Sequence, residues 1–155
     1  MHQIKKHGAL AGALLTLLVI TPGCGDGKFR FVPVEGRVLL DGRPVANARV
    51  VFMPQASGAD GEAGPYSGGE TNSEGRYSLS TLEESPHAGA VVGSHRITIS
   101  TRVAHLHPTE LDLEVIDSPE TIPADYTNYR LTPLTFEVPA SGTSAADFSL
   151  ESQAK

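Results

Sequence analysis

The chain has 155 residues, a formal charge of −6, one cysteine and no tryptophan. That length suits one domain with a real hydrophobic core. The acidic balance excludes nucleic-acid binding and charge-driven attachment to anionic lipid, and a lone cysteine excludes an internal disulfide framework.

Met1 to His7 carries Lys5 and Lys6, and Ala9 to Ile20 is apolar or small, broken only by Gly12 and Thr16. A positive stretch before a short apolar run is the pattern of a secretory leader, and the run falls short of the about 20 apolar residues that span a membrane. Thr21-Pro22-Gly23-Cys24 follows at once. It resembles a lipobox, where bacterial lipoprotein processing adds diacylglycerol to a cysteine and cleaves before it. Gly23 and Cys24 fit that pattern, whereas Thr21 stands where leucine is usual and Pro22 is unusual there. We read residues 1–23 as a signal peptide, Cys24 as the lipidation site and residues 24–31 as a tether. Removing residues 1–23 takes away Lys5 and Lys6, leaving 132 residues and a charge of −8.

Val34, Gly36, Val38 and Leu40 alternate with Glu35, Arg37 and Leu39, the period of two that marks a half-buried strand. Asp41-Gly42 breaks the run, and Pro44 belongs in a connection because it cannot donate to a ladder. Ala48, Val50 and Phe52 then share one face until Pro54. These two runs are expected as the arms of a hairpin whose connection is longer than a two-residue turn. Phe29 and Phe31 are placed to start the first strand early.

Gln55 to Gly69 is rich in glycine and reads as a surface loop. It lacks G-x-x-x-x-G-K and any basic residue, so it is no phosphate cradle. Its Asp60 and Glu62, with Glu70, match no calcium-loop spacing. Asn72 to Gly75 is a turn, and Arg76 to Ser80 a strand with Tyr77 and Leu79 inward. Thr81 to Ala90 is a loop. Val91 to Arg102 is a strand with His95, Ile97 and Ile99 on one side.

Residues 103–133 are too long for a plain connection. Leu111, Leu113 and Val115 alternate with Asp112 and Glu114, which predicts an extra edge strand. Ile122 to Tyr129 predicts a helical turn with Tyr126 packed on the sheet. Leu134, Phe136 and Val138, then Ala146, Phe148 and Leu150, mark the last inward faces. Residues 151–155 form a tail. About seven short strands with Gly/Pro turns predict an all-β fold, a single β-sandwich over residues 32–150.

The run G-x-V-x-x-D-G-x-P-V-x-x-A-x-V-x-F, from Gly36 to Phe52, resembles the start of a carboxypeptidase-regulatory-like domain. Thr71-Asn72-Ser73-Glu74-Gly75-Arg76-Tyr77, Gly93 to Ile99 and Ile122-Pro123-Ala124-Asp125-Tyr126 extend the resemblance. The whole is similar to small bacterial lipoproteins with one such domain, over roughly residues 34–150. The resemblance implies a transthyretin-like, Greek-key sandwich. Some transthyretin-like proteins hydrolyse hydroxyisourate with a histidine near the start and a C-terminal Y-R-G-S motif, whereas the first strand here has no histidine and the sequence ends in S-L-E-S-Q-A-K.

Reactive constellations are sparse. His105-Leu106-His107 has metal-ligand spacing, and on a strand both rings would face one side, with Glu110 or Asp112 to complete a zinc site. His95 shares the inward face of its strand with no nucleophile beside it, which is the pattern of a core histidine. Ser67 lies in G-P-Y-S-G, which misplaces the first glycine of the nucleophile elbow. Tyr66, Tyr126 and Tyr129 are loop aromatics that a sugar site would use, or that pin loops to the sandwich.

The expectation is a lipid-anchored, non-enzymatic cell-envelope module, structural or protein-binding, held on the membrane through acylated Cys24 and facing the periplasm or outer membrane. No cofactor is expected. Its partner is an envelope protein or a polysaccharide. A carbohydrate-binding module is the next reading, and a small metal site at His105/His107 the third.

Overall fold

A computed structural model describes residues 28–56, 61–109 and 113–152. Residues 1–27, with the expected signal peptide and Cys24, and Asp60, Glu110, Leu111, Asp112 and the last three residues lie outside them. The described residues hold 13 short strands and one helical turn. In chain order the strands are β1 (Phe31–Val32), β2 (Glu35–Leu40), β3 (Arg43–Pro44), β4 (Arg49–Pro54), β5 (Ser67–Glu70), β6 (Arg76–Ser78) and β7 (Ser80–Thr81). Then come β8 (Ala90–Val91), β9 (Gly93–Ser100), β10 (Val103–Leu106), β11 (Glu114–Ser118), the turn α1 (Ala124–Thr127), β12 (Thr135–Val138) and β13 (Phe148–Leu150).

The fold is a β-sandwich. One sheet runs β12-β9-β4-β5-β7. The other runs β13-β2-β3, with β6 on the first half of β2. Two ribbons stand apart from these sheets, β1-β8 and β10-β11.

The strand parity read from the sequence is the observed one. Val34, Val38, Ala48, Val50, Phe52, Tyr77, Leu79, Ile97, Ile99, Val138, Ala146, Phe148 and Leu150 are all buried in one cluster. Phe52 sits at its centre. Tyr77 and Phe148, from the β2 sheet, bring their ring centroids to 6.4 and 6.0 Å from it. His95 and Phe136, from its own sheet, stand at 5.6 and 6.0 Å. Tilted and edge-on rings at these separations add to the burial of their area. Phe136, expected in the core, is only partly buried, because β12 is the sheet's edge strand and one flank of its ring stays open.

The expected hairpin is corrected. Its two arms lie in different sheets: β2 pairs with β13, β3 and β6, whereas β4 pairs with β5 and β9. The reversal after β2 is itself a two-residue turn. Leu40 faces Arg43, and Asp41 and Gly42 both take positive φ, at 50° and 78°. The chain then crosses to the opposite sheet through Asn47, also at positive φ. Alternation names the buried face of each arm but not its partner strand, and both arms bury that face in the shared core.

The Gly-rich loop is shorter than expected, because Ser67–Glu70 is a strand between β4 and β7. A Cβ at Gly69 would stand 2.2 Å from the Ser78 carbonyl oxygen, so the glycine that looks like loop is what lets this strand pass. At the other end, Phe31 belongs to β1 and not to a tether: it pairs with Val91 and stacks on His87 at 4.6 Å.

Phe52→Ala removes the ring on which both sheets converge. It should lower unfolding stability by about 3–5 kcal/mol, and Phe136→Ala by about half as much, since part of that ring is already in water. Equilibrium urea unfolding of the two variants measures this, and equal losses would contradict the central place given to Phe52.

Candidate functional site

The long segment after β9 carries most of the exposed apolar side chains. It leaves the sandwich at Thr101 as an antiparallel ribbon, β10 against β11, with Ala104 facing Ile116, His105 facing Val115 and Leu106 facing Glu114. A bulge lies between Val103 and Ala104. Of the strand expected around Leu111–Val115, Leu111 and Asp112 lie outside the described residues, and the described strand is Glu114–Ser118. Val103, Leu106, Leu113 and Ile116 are each about half exposed or more. The ribbon's own crosslinks are polar and on the surface. Arg102 Nη2 donates to Glu114 Oε2 at 2.5 Å, which holds that carboxyl below its usual range. His105 Nδ1 lies 2.8 Å from Asp117 Oδ2.

The ribbon's base is held by Glu120. Its Oε1 accepts from the Thr101 N–H at 3.0 Å, the Thr101 hydroxyl at 2.9 Å and the Ile122 N–H at 2.8 Å. Its Oε2 accepts from the Ser100 hydroxyl. Burial pushes the carboxyl's pKa up, but the bonds from Ser100, Thr101 and Ile122 outweigh it and bring the pKa down to about 2. The chain then turns inward. Ile122 and Tyr126 are buried, and the Thr132 hydroxyl donates to the Ile97 carbonyl at 2.7 Å.

The histidine pair is split by chemistry. His105 is engaged by Asp117, and His107 Nδ1 lies 3.4 Å from the Thr109 N–H. No group of three or more His, Cys, Asp or Glu among the described residues is disposed to hold a metal ion. Glu110 and Asp112 lie outside those residues. Asp117, the actual partner of His105, sits twelve positions along the chain and becomes its neighbour only through the ribbon's register.

The tyrosines do not act as one group. Tyr77 and Tyr126 are buried, while Tyr66 and Tyr129 are exposed. Tyr77 Oη donates to the Ala146 carbonyl at 2.6 Å, and burial pushes its pKa far up. Tyr129 lies over the Arg96 guanidinium at 5.8 Å. Tyr66 adjoins Ser67, the start of β5, whereas Arg96 is on β9, and β4 runs between those strands. Ser67 is fully buried and its Oγ has no hydrogen-bond partner, so no base activates it.

His95 is the one buried imidazole among the described residues. Gly93's carbonyl can only accept, so Nδ1, at 2.9 Å, carries the proton and Nε2 is a bare lone pair without a partner. Neutral, the ring packs as one more aromatic. Charged, it would hold an unsolvated cation in the core. Burial lowers its pKa, against the opposing Gly93 bond and the charge of Glu137.

A scan against known protein families found no matching model, and comparison with curated proteins and with solved structures gave no significant match.

Two predictions follow from these polar groups. Glu120→Gln should cost about 1 kcal/mol, below the about 1.5–3 kcal/mol of a bond to a charged group, since this carboxylate is mostly solvated. The wild-type advantage should be complete above pH 4.5 and fade as pH falls toward 2, because the unfolded carboxyl takes up its proton first. Separately, the unfolded chain protonates its counterpart of His95 near pH 6.5 and the folded chain does not. Stability should therefore fall as pH drops below about 6.5, by up to about 1.4 kcal/mol per pH unit. His95→Phe should flatten that slope. Urea melts from pH 2 to 8 check both, and an unchanged slope in His95→Phe would contradict the assignment.

Proposed function

We propose that this chain is a lipid-anchored, non-enzymatic β-sandwich of a bacterial cell envelope, a structural or protein-binding module of the carboxypeptidase-regulatory-like kind. The observation that carries the reading is the place of Cys24. The chain's sole cysteine stands just past an apolar run that ends at Ile20 and is preceded by Lys5 and Lys6, with Thr21-Pro22-Gly23 between. A thiol there is where acylation would attach the protein.

The geometry of the first described residues supports this role. The Val92 N–H donates to the Arg30 carbonyl, so the chain is tied to the sandwich by residue 30. Six residue steps separate Arg30 from Cys24, which span at most about 20 Å. An acyl group on Cys24 would hold the start of β9 close to the membrane. The β10-β11 ribbon leaves from the other end of β9, about 25 Å away at a strand's rise per residue. Lipid and ribbon would then occupy opposite poles, leaving the ribbon free for a partner.

Stable anchoring takes two or more acyl chains, at about 0.8 kcal/mol per buried methylene. Cys24→Ser should move the protein from the membrane fraction to the soluble envelope fraction. Cell fractionation with a high-salt wash tests this, and a mutant that stays with the membrane would overturn the lipoprotein reading.

A further inference from the structure

His95 is only 1% exposed, yet it sits one strand from the rim of its sheet. On one side β9 pairs with β4, which β5 flanks in turn. On the other it pairs with β12, which has no further neighbour among the described residues. His95 faces Pro54 on β4 and Phe136 on β12. Its Nδ1 is used by the Gly93 carbonyl, so a second proton would make Nε2 a donor with no acceptor in reach.

The groups around the ring do not meet that need. Arg96 follows it on β9 and so lies on the opposite face. Glu137 on β12 is exposed and acts on the ring through its charge alone. Asp125 is exposed on α1, which packs on β9. β4 presents Phe52 and Pro54, and across the core stand Phe148 and Tyr77, whose hydroxyl is spent on the Ala146 carbonyl. Protonation is therefore linked to opening. Any state that brings Nε2 to water gains up to about tenfold in population per pH unit below about 6.5, and a state that leaves it buried gains nothing.

β12 is the smallest element whose departure wets the ring. It is four residues long, held by one neighbour, and lies between Pro133 and Pro139, which have no N–H to pair. Val138 is its one fully buried side chain, and Phe136 is already partly in water. Both ends of the segment are tied down. The Thr132 hydroxyl holds the Ile97 carbonyl at 2.7 Å, and the Thr143 N–H holds the Pro33 carbonyl at 2.9 Å. Residues 133–142 can swing away between these ties without unfolding either sheet.

We propose that β12 is an acid-released strap: protonation of His95 favours a state in which residues 133–142 leave β9 while the rest of the sandwich stays folded. Acid then bares the β9 edge and one flank of Phe52, surfaces that are covered at neutral pH. The strap is independent of the anchor, which cell fractionation tests by itself.

Hydrogen exchange of the full chain in mild detergent tests this at pH 7.5 and 5.0, with each rate corrected for the intrinsic effect of pH. Amides that join β12 to β9 should open more readily than those that join β4 to β5 at both pH values. Their opening should rise about fivefold or more at pH 5.0. In His95→Phe the same amides should change by less than about twofold. Opening of β12 no easier than that of β4-β5, opening that pH leaves unchanged, or a pH response kept in His95→Phe would each overturn the proposal.

Discussion

The convergence of both sheets on Phe52 is the constraint on which the other features depend. Its ring is fully buried and meets Tyr77 and Phe148 from one layer and His95 and Phe136 from the other. With no tryptophan in the chain, this cluster supplies the large rings of the core. It also sets the chemistry of its neighbours. His95 stays neutral because it is one of those rings, and Tyr77 can be buried because the Ala146 carbonyl accepts the hydrogen bond from its hydroxyl. Groups that look reactive in the sequence are thus held as parts of the packing.

A core this concentrated leaves the long segment after β9 to find its own supports. It does so unevenly. Ile122, Tyr126 and Thr132 return to the sandwich, and Glu120 gathers the Ser100, Thr101 and Ile122 donors into one knot. Beyond that knot the ribbon relies on its own ladder, the surface Arg102–Glu114 ion pair and the exposed His105–Asp117 hydrogen bond, which contribute little to stability. Rigid layers, a polar knot at the base and an exposed ribbon make a scaffold with one presented element.

Much of the fold was visible in the order of residues. Period-two runs named the inward faces from Val34 to Leu150, because a strand's side chains must alternate whatever it pairs with. Pairing itself was not visible. Val34–Leu40 and Ala48–Met53 look like hairpin arms, yet each buries its apolar face equally well from opposite sheets. Ser67–Glu70 was hidden because two glycines read as loop, when Gly69 lets the strand pass the Ser78 carbonyl and Gly68 lies against the Leu82 side chain. At the surface, the spacing of His105 and His107 suggested a metal. The residues that matter to them and to the ribbon, Asp117 and Glu120, are brought near only by a register and a turn that composition does not encode.

Native-state hydrogen exchange tests most directly the claim of a rigid sandwich carrying a separable ribbon. Amides that pair β4 with β5 and β9 should exchange only through global unfolding, and those of β10 and β11 through local opening at a free energy several kcal/mol lower. Glu120→Gln should lower the ribbon's protection further and leave that of β4 relative to global stability unchanged. Protection of β10-β11 equal to that of β4 and β9 would contradict the account, since the ribbon would then be part of the core's cooperative unit.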